Sequence, residues 1–147
     1  MSRLRIVPGP LMKDVLSAAP GALEADCEMR RQLIENLTPR LYSLIGVAVA
    51  SLLRCHRFVD VLRGPLDRTF AAKAANDWRM LGLTAAERAI LSYTEKGTLD
   101  EASVRRRDAD ELRAAGLNDR DILLIATAIA YHNYSIRLAA AFDVLPR

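Results

Sequence analysis

The sequence predicts an all-α, single-domain helical bundle, and three observations carry that expectation. Of the 147 residues, 51% are hydrophobic but only 5% aromatic. The apolar share is largely Ala and Leu, which lose little side-chain freedom in a helix, whereas sheet faces favour β-branched and aromatic side chains. Apolar residues recur at steps of three and four, and no segment alternates with period two. Helix start and stop signals follow one another along the chain. The length suits one domain that buries a continuous core without metal or disulfide staples. No linker or internal repeat divides it, so residues 1–147 read as one domain, with residues 1–22 forming an N-terminal arm and short helix.

Each element has its own signal. Pro8-Gly9-Pro10 ends an extended arm, a short helix occupies residues 11–18, and Ala19-Pro20-Gly21 interrupts it. A second helix covers residues 23–37. Thr38 reads as an N-cap with Pro39 at the first helical position, where the missing N–H costs nothing. Leu41, Leu44, Ile45, Ala48, Leu52, Cys55, Val59 and Leu62 then share one face of a long helix that Gly64-Pro65 stops. Residues 66–80 form a further helical segment that closes at Gly82. Thr84-Ala85-Ala86-Glu87 is a capping box opening a helix that runs to Lys96, with Gly97 as its breaker. The charged residues 100–115 end at Gly116, a left-handed C-cap. Asn118 caps the last helix, Asp119 and Asp121 oppose its dipole, and Ile122, Ile125, Ala126, Ile129, Asn133 and Ile136 make its buried face.

Several function classes are excluded at this level. A formal charge of +3, from 21 Lys+Arg against 18 Asp+Glu, is a weak field, and nucleic-acid binding needs clustered basic residues. Arg105-Arg106-Arg107 is the one basic run, and Asp110 and Glu111 stand four residues after Arg106 and Arg107, which predicts a self-neutralised surface. The most apolar stretch, residues 41–53, has 13 residues between Arg40 and Arg54, short of the roughly 20 that span a bilayer. No apolar signal segment develops after the basic start, because Ile6-Val7 runs into Pro8. The expected location is cytoplasmic, without membrane or nucleic-acid partners, and there Cys27 and Cys55 stay as thiols. Phosphate-binding glycine loops, zinc-protease motifs and serine nucleophile elbows are absent, so no cofactor and no metal are expected.

Two short stretches hold the chemistry-bearing side chains. Cys55-His56 sets a thiol beside an imidazole, but adjacent helical residues project about 100° apart and do not face each other. In an unbroken helix Cys55 would also lie toward the C-terminal half, where the dipole disfavours a thiolate. In Tyr131-His132-Asn133-Tyr134, Asn133 falls on the apolar face and needs partners, best met by an interhelical hydrogen bond that Arg137 can join. His132 lies one residue off that stripe, which predicts partial exposure, and one imidazole is too few for a metal site.

Leu83-Thr84-Ala85-Ala86-Glu87-Arg88-Ala89-Ile90-Leu91, Leu112-Arg113-Ala114-Ala115-Gly116-Leu117-Asn118-Asp119, and Ala130-Tyr131-His132-Asn133-Tyr134 with Arg137-Leu138-Ala139 resemble, in order and spacing, the alkylhydroperoxidase D-like branch of the carboxymuconolactone decarboxylase superfamily. The likeness spans residues 35–145, and Arg5-Ile6-Val7-Pro8 is similar too. It implies an all-helical fold assembling as a dimer, trimer or hexamer. It also implies a chemistry in which a Cys-x-x-Cys pair, with a supporting glutamate and histidine, reduces small hydroperoxides through a sulfenic acid resolved as a disulfide. The resemblance puts Cys55 at the first cysteine, Phe58 at the second, Leu62 at the histidine and Ser43 at the glutamate, with Arg57 at a position often aromatic or histidine.

Two readings follow, and the sequence does not decide whether the chain is an enzyme. One is a divergent antioxidant peroxidase-like oxidoreductase, with Cys55 as its redox atom and Cys27 or an external thiol resolving it. The other is a non-catalytic helical oligomer that binds a small ligand or a partner protein, motivated by Ser43, Phe58 and Leu62. A carboxymuconolactone decarboxylase-like enzyme would instead draw its anion-binding and proton-donating groups from His56, His132, Arg57 and Arg137.

Overall fold

Caps and breakers punctuate the chain into eight α-helices, and a computed structural model describes residues 11–143. The extended arm and the Arg5-Ile6-Val7-Pro8 likeness lie outside the described residues. The helices are α1 (Met12–Val15), α2 (Pro20–Leu37), α3 (Pro39–Leu52), α4 (Val59–Leu62), α5 (Arg68–Asp77), α6 (Ala85–Leu99), α7 (Arg106–Ala114) and α8 (Asp119–Ala141). Single 3₁₀ turns precede α4 at His56–Phe58, follow α5 at Trp78–Met80 and follow α6 at Glu101–Ser103. No strand occurs among the described residues. Residues 42–50 of α3 are all buried, and α2, α5, α6 and α8 pack around them. An Ala-, Val- and Leu-rich helix with no charged residue after Arg40 has no solvent face to offer, so it takes the centre.

The α2–α3 junction is a single residue. Thr38, at φ 103°, donates its N–H to the Ile34 carbonyl at 3.2 Å and accepts from the Leu41 N–H at 3.2 Å. It therefore ends one helix and caps the next. Pro39 bars the α conformation from the residue before it, which holds the turn open although a β-branched residue at positive φ is strained. Pro20, expected to interrupt, is instead the first residue of α2, where its lost N–H needs no partner.

The long helix expected through Leu62 is broken. α3 stops at Leu52, and Arg54 takes the left-handed conformation at φ 60°. The Cys55 N–H donates to the Ala50 carbonyl at 2.8 Å and the Arg54 N–H to the Ser51 carbonyl at 3.0 Å, the paired bonds of a Schellman C-cap. Gly116 ends α7 in the same way, at φ 96°, with Leu117 bonded to Leu112 at 3.2 Å and Gly116 to Arg113 at 3.0 Å. The glycine was legible as a stop; an arginine doing the same work was not. Cys55 is consequently not in the C-terminal half of a helix but precedes the 3₁₀ turn that leads into α4.

Three smaller expectations are also corrected. α6 continues through Gly97 to Leu99, because Gly97 faces α8, where an added Cβ would only reach ordinary contact with Ile129 at 3.7 Å. The segment expected over residues 66–80 begins instead at Arg68, where the Asp67 side chain accepts from Thr69 and Phe70. Arg106 and Arg107 do not pair along their own helix among the described residues: Asp108 binds Lys96 at 3.0 Å, and Asp110 binds Arg113 at 2.6 Å. The Thr84–Glu87 and Asn118–Asp121 capping boxes both form.

A left-handed non-glycine residue costs roughly 1–2 kcal/mol, part of which glycine recovers against its own greater unfolded-state entropy. Arg54→Gly is expected to raise unfolding free energy in urea by about 0.5–1 kcal/mol and Arg54→Val to lower it by at least about 1 kcal/mol. A stability unchanged in both variants would contradict the strained cap.

Candidate functional site

Two polar regions flank α8, on opposite sides. The first is a cavity of about 190 Å³ between α1, α2, α3, α4 and α8, lined among others by Arg30, Tyr42, Ser43, Leu62 and Tyr131. Exposed Pro39, Gly64 and Pro65 form its rim. Ser43 is 4% exposed and sits on α3 against Gly64, where an added Cβ would stand 2.5 Å from its Oγ. The second is an open groove of about 680 Å³ between α6 and α8 that includes Tyr93, Thr98, Asn133 and Arg137.

Beneath the cavity, α8 is locked to α3 by His132. Its Nε2 lies 2.9 Å from the Tyr42 carbonyl oxygen. A carbonyl only accepts, so Nε2 carries the proton and Nδ1 is a bare lone pair, buried without a hydrogen-bond partner. The ring rests on Gly46, where an added Cβ would be 2.6 Å from Cε1. His132 is 1% exposed, which corrects the expected partial exposure: α8 is rotated so that Ala128, Tyr131, His132, Ser135 and Ala139 share its buried face with Ile125, Ile129 and Ile136. Burial pushes its pKa down to about 4, with the hydrogen bond to Tyr42 opposing that shift.

The cavity floor continues into an aromatic and acidic cluster. The rings of Tyr42 and His132 are 4.5 Å apart between centroids and those of Tyr131 and His132 5.8 Å. Tyr131 donates its hydroxyl to Asp26 Oδ2 at 3.2 Å, while Asp26 Oδ1 is buried without a partner. Burial raises the Asp26 pKa against the opposing pull of the Tyr131 hydrogen bond and the nearby Arg30 charge. Burial also pushes the Tyr42 phenol up to about 12, despite Arg30, and carries Tyr131 upward as well, aided by Tyr42 and Asp26. Both phenols therefore remain O–H donors at neutral pH.

The sulfur centre is separate and plain. Cys55 is half-buried, and its Sγ has the Leu53 carbonyl at 3.5 Å as its hydrogen-bond partner. No imidazole or carboxylate bonds to it among the described residues. Phe58 is fully buried, and the Arg57 guanidinium lies 4.6 Å from its ring centroid. His56 and Arg57 are exposed. Cys27 is buried and unpaired, and burial beside Asp26 raises its thiol pKa, which suppresses the thiolate. Among the candidate residues, the structure brings Ser43 and Leu62 together in the cavity and leaves Cys55 and Phe58 out of its lining. Asn133 bonds across to Thr98 of α6 at 3.1 Å and takes Arg137 at 3.4 Å. His56, Arg57, His132 and Arg137 do not converge.

Asp26, Arg30, Tyr42, Tyr131 and Ser135 were not singled out by sequence. Asp26 and Arg30 sit among the many charges of α2 and look solvated, and only their one-turn spacing hinted at a shared face. Among the described residues no cluster of three His, Cys, Asp or Glu is placed to hold a metal ion, and no helix is long and apolar enough to cross a membrane.

A peroxidase-related protein from Silicibacter sp. TM1040 has a similar structure, with a TM-score of 0.86 at 25% identity over 99% of this chain and 79% of that one. The alkylhydroperoxidase AhpD core of a peroxidase-related protein from Ralstonia eutropha JMP134 gives 0.80 at 22% identity, over 94% and 77%. This chain is alkylhydroperoxidase D-like in fold. A third similar structure, at 0.70 and 15% identity over 99% and 93%, is a cysteine-to-alanine variant of the debrominase Bmp8 in complex with 2,3,4-tribromopyrrole. No protein-family model matches the sequence, and neither does any curated protein.

His132 makes this alkylhydroperoxidase D-like chain acid-sensitive. Its folded pKa lies below the unfolded value of 6.5, so between those pH values the unfolded chain binds a proton that the folded one refuses, and stability falls as pH falls. From pH 7 to pH 5, before most carboxylates titrate, unfolding free energy should drop by about 2 kcal/mol, and His132→Gln should flatten that slope. Equal slopes in urea titrations of the two proteins would refute the assignment. Gly46→Ala should destabilise by about 1–3 kcal/mol at pH 7, through the clash with the ring.

Proposed function

We propose that this alkylhydroperoxidase D-like chain binds a small molecule in the cavity between α2, α3, α4 and α8, and that it does not perform dithiol peroxidase chemistry. The observation that carries this reading is the lining of the cavity: Ser43 and Leu62, the positions that the sequence resemblance equates with the family's glutamate and histidine, face it together, while no thiol does. A dithiol peroxidase needs a second sulfur and a base within hydrogen-bond reach of the first. Cys55 has a backbone carbonyl instead, and the residue one turn later is a fully buried phenylalanine. Cys27 supports the same reading, since its thiol is held protonated by burial.

A homo-oligomer belongs to this proposal. Leu123 and Tyr134 are 66% and 44% exposed and recur about three turns apart on the outer face of α8, as apolar contacts between copies would require. Sedimentation velocity of the purified chain should show an assembly, and Leu123→Glu should shift it toward monomer.

The purified chain, given tert-butyl hydroperoxide and a dithiol reductant, should consume peroxide no faster than its Cys55→Ser variant. Turnover that Cys55→Ser abolishes would overturn the proposed function.

A further inference from the structure

Arg30 brings a guanidinium to the cavity and makes no salt bridge there among the described residues. Arg31 beside it is held by Glu28 at 2.6 Å and Glu35 at 2.8 Å, and Arg40 by Glu87 at 3.2 Å. Arg30 is half-buried, lines the cavity and forms no ion pair among the described residues. Asp26, one turn earlier on α2, does not replace a partner: its side chain is 5% exposed and is engaged by Tyr131. Burial raises its pKa while the Tyr131 hydrogen bond and the Arg30 charge pull it down.

Tyr42 and Ser43 bring hydroxyls to the same wall as Arg30. Tyr42 keeps its phenolic proton at neutral pH. Ser43, also in the lining, is 4% exposed. Arg30 with the Tyr42 and Ser43 hydroxyls beside it offers several donors to a ligand that accepts, and the planar guanidinium fork matches a carboxylate. Leu11, Ile34, Val61 and Leu62 supply an apolar wall, with Tyr131 and Ser135 also in the lining. A cavity of about 150 Å³ accepts benzene in another protein, so 190 Å³ admits a body of that size with a carboxylate attached.

We propose that the cavity binds a small monocarboxylic acid with an apolar body about the size of a benzene ring, its carboxylate held by Arg30, Tyr42 and Ser43. This rests on the binding reading above and names the class of ligand. The test is isothermal titration of the full-length protein with benzoate, with benzyl alcohol as a neutral ligand of similar size, and with inorganic phosphate. Benzoate should bind more tightly than either, and Arg30→Gln should weaken benzoate by about tenfold or more while leaving benzyl alcohol within about twofold. Arg30→Lys keeps the charge but loses the fork, and should fall between the two. If Arg30→Gln does not fold, Ser43→Ala gives the same discrimination with a smaller change in volume.

Equal affinity for benzoate and benzyl alcohol, insensitive to Arg30→Gln, would overturn the carboxylate assignment and leave the binding reading standing. Phosphate binding as tight as benzoate, or no benzoate binding at all, would overturn it as well. Failure of the underlying reading has a different signature, peroxide turnover that depends on Cys55.

Discussion

The contact between His132 and α3 is the constraint on which this structure turns. An imidazole pressed onto a glycine and hydrogen-bonded to a backbone carbonyl fastens α8 to α3. It works only if the ring is neutral, with its proton on Nε2. The same contact orients Tyr42, whose carbonyl it binds, and Tyr131, which precedes it in sequence. These tyrosines bring the polar cluster of α2 to the cavity, so the architecture and the candidate site share one fastening. A residue buried for packing thus determines where the donors of the cavity stand, although it touches none of the space a ligand would fill.

The electrostatics of the cavity follow from unequal burial. Tyr131, Tyr42 and Asp26 are all deep enough that their charged forms are disfavoured, whereas a guanidinium cannot escape by losing its proton. The pocket therefore presents a permanent cation, Arg30, beside the hydroxyls of Tyr42 and Tyr131, with Asp26 bonded behind Tyr131. Its polarity is set by which group has no neutral option, more than by how many polar groups are present. Cys55 lies outside this arrangement, beside a carbonyl that offers its thiol neither a base nor a positive charge.

Much of the fold was legible because it is written in local chemistry. Thr38-Pro39, Thr84 with Glu87, Asn118 with Asp121 and Gly116 each state a helix end through hydrogen bonds made within a few residues. The break after Leu52 was not legible, since its left-handed residue is an arginine and the apolar period runs on through it. Asn133 was readable as an interhelical donor because a lone amide in an apolar stripe demands a partner. His132 was misread as partly exposed because the period of α8 fixes spacing and leaves the rotation of the helix to its neighbours. The cavity residues were hidden for a related reason: Asp26 and Arg30 acquire meaning only when α8 delivers Tyr131 beside them, across 105 positions of chain.

The Schellman turn at Arg54 has a consequence for how such a protein can diversify. By ending α3 early, it makes α4 a separate piece of only four residues, too short to be stable by itself and held through the buried Phe58 just before it. Val61 and Leu62 stand on that piece, while the frame of the domain stands on α3 and α8. Substitutions at Val61 and Leu62 would widen, narrow or reline the cavity from that piece. The apolar side of the cavity thus stands on a short segment of its own, while Arg30, Tyr42 and Ser43 hold the polar side from α2 and α3.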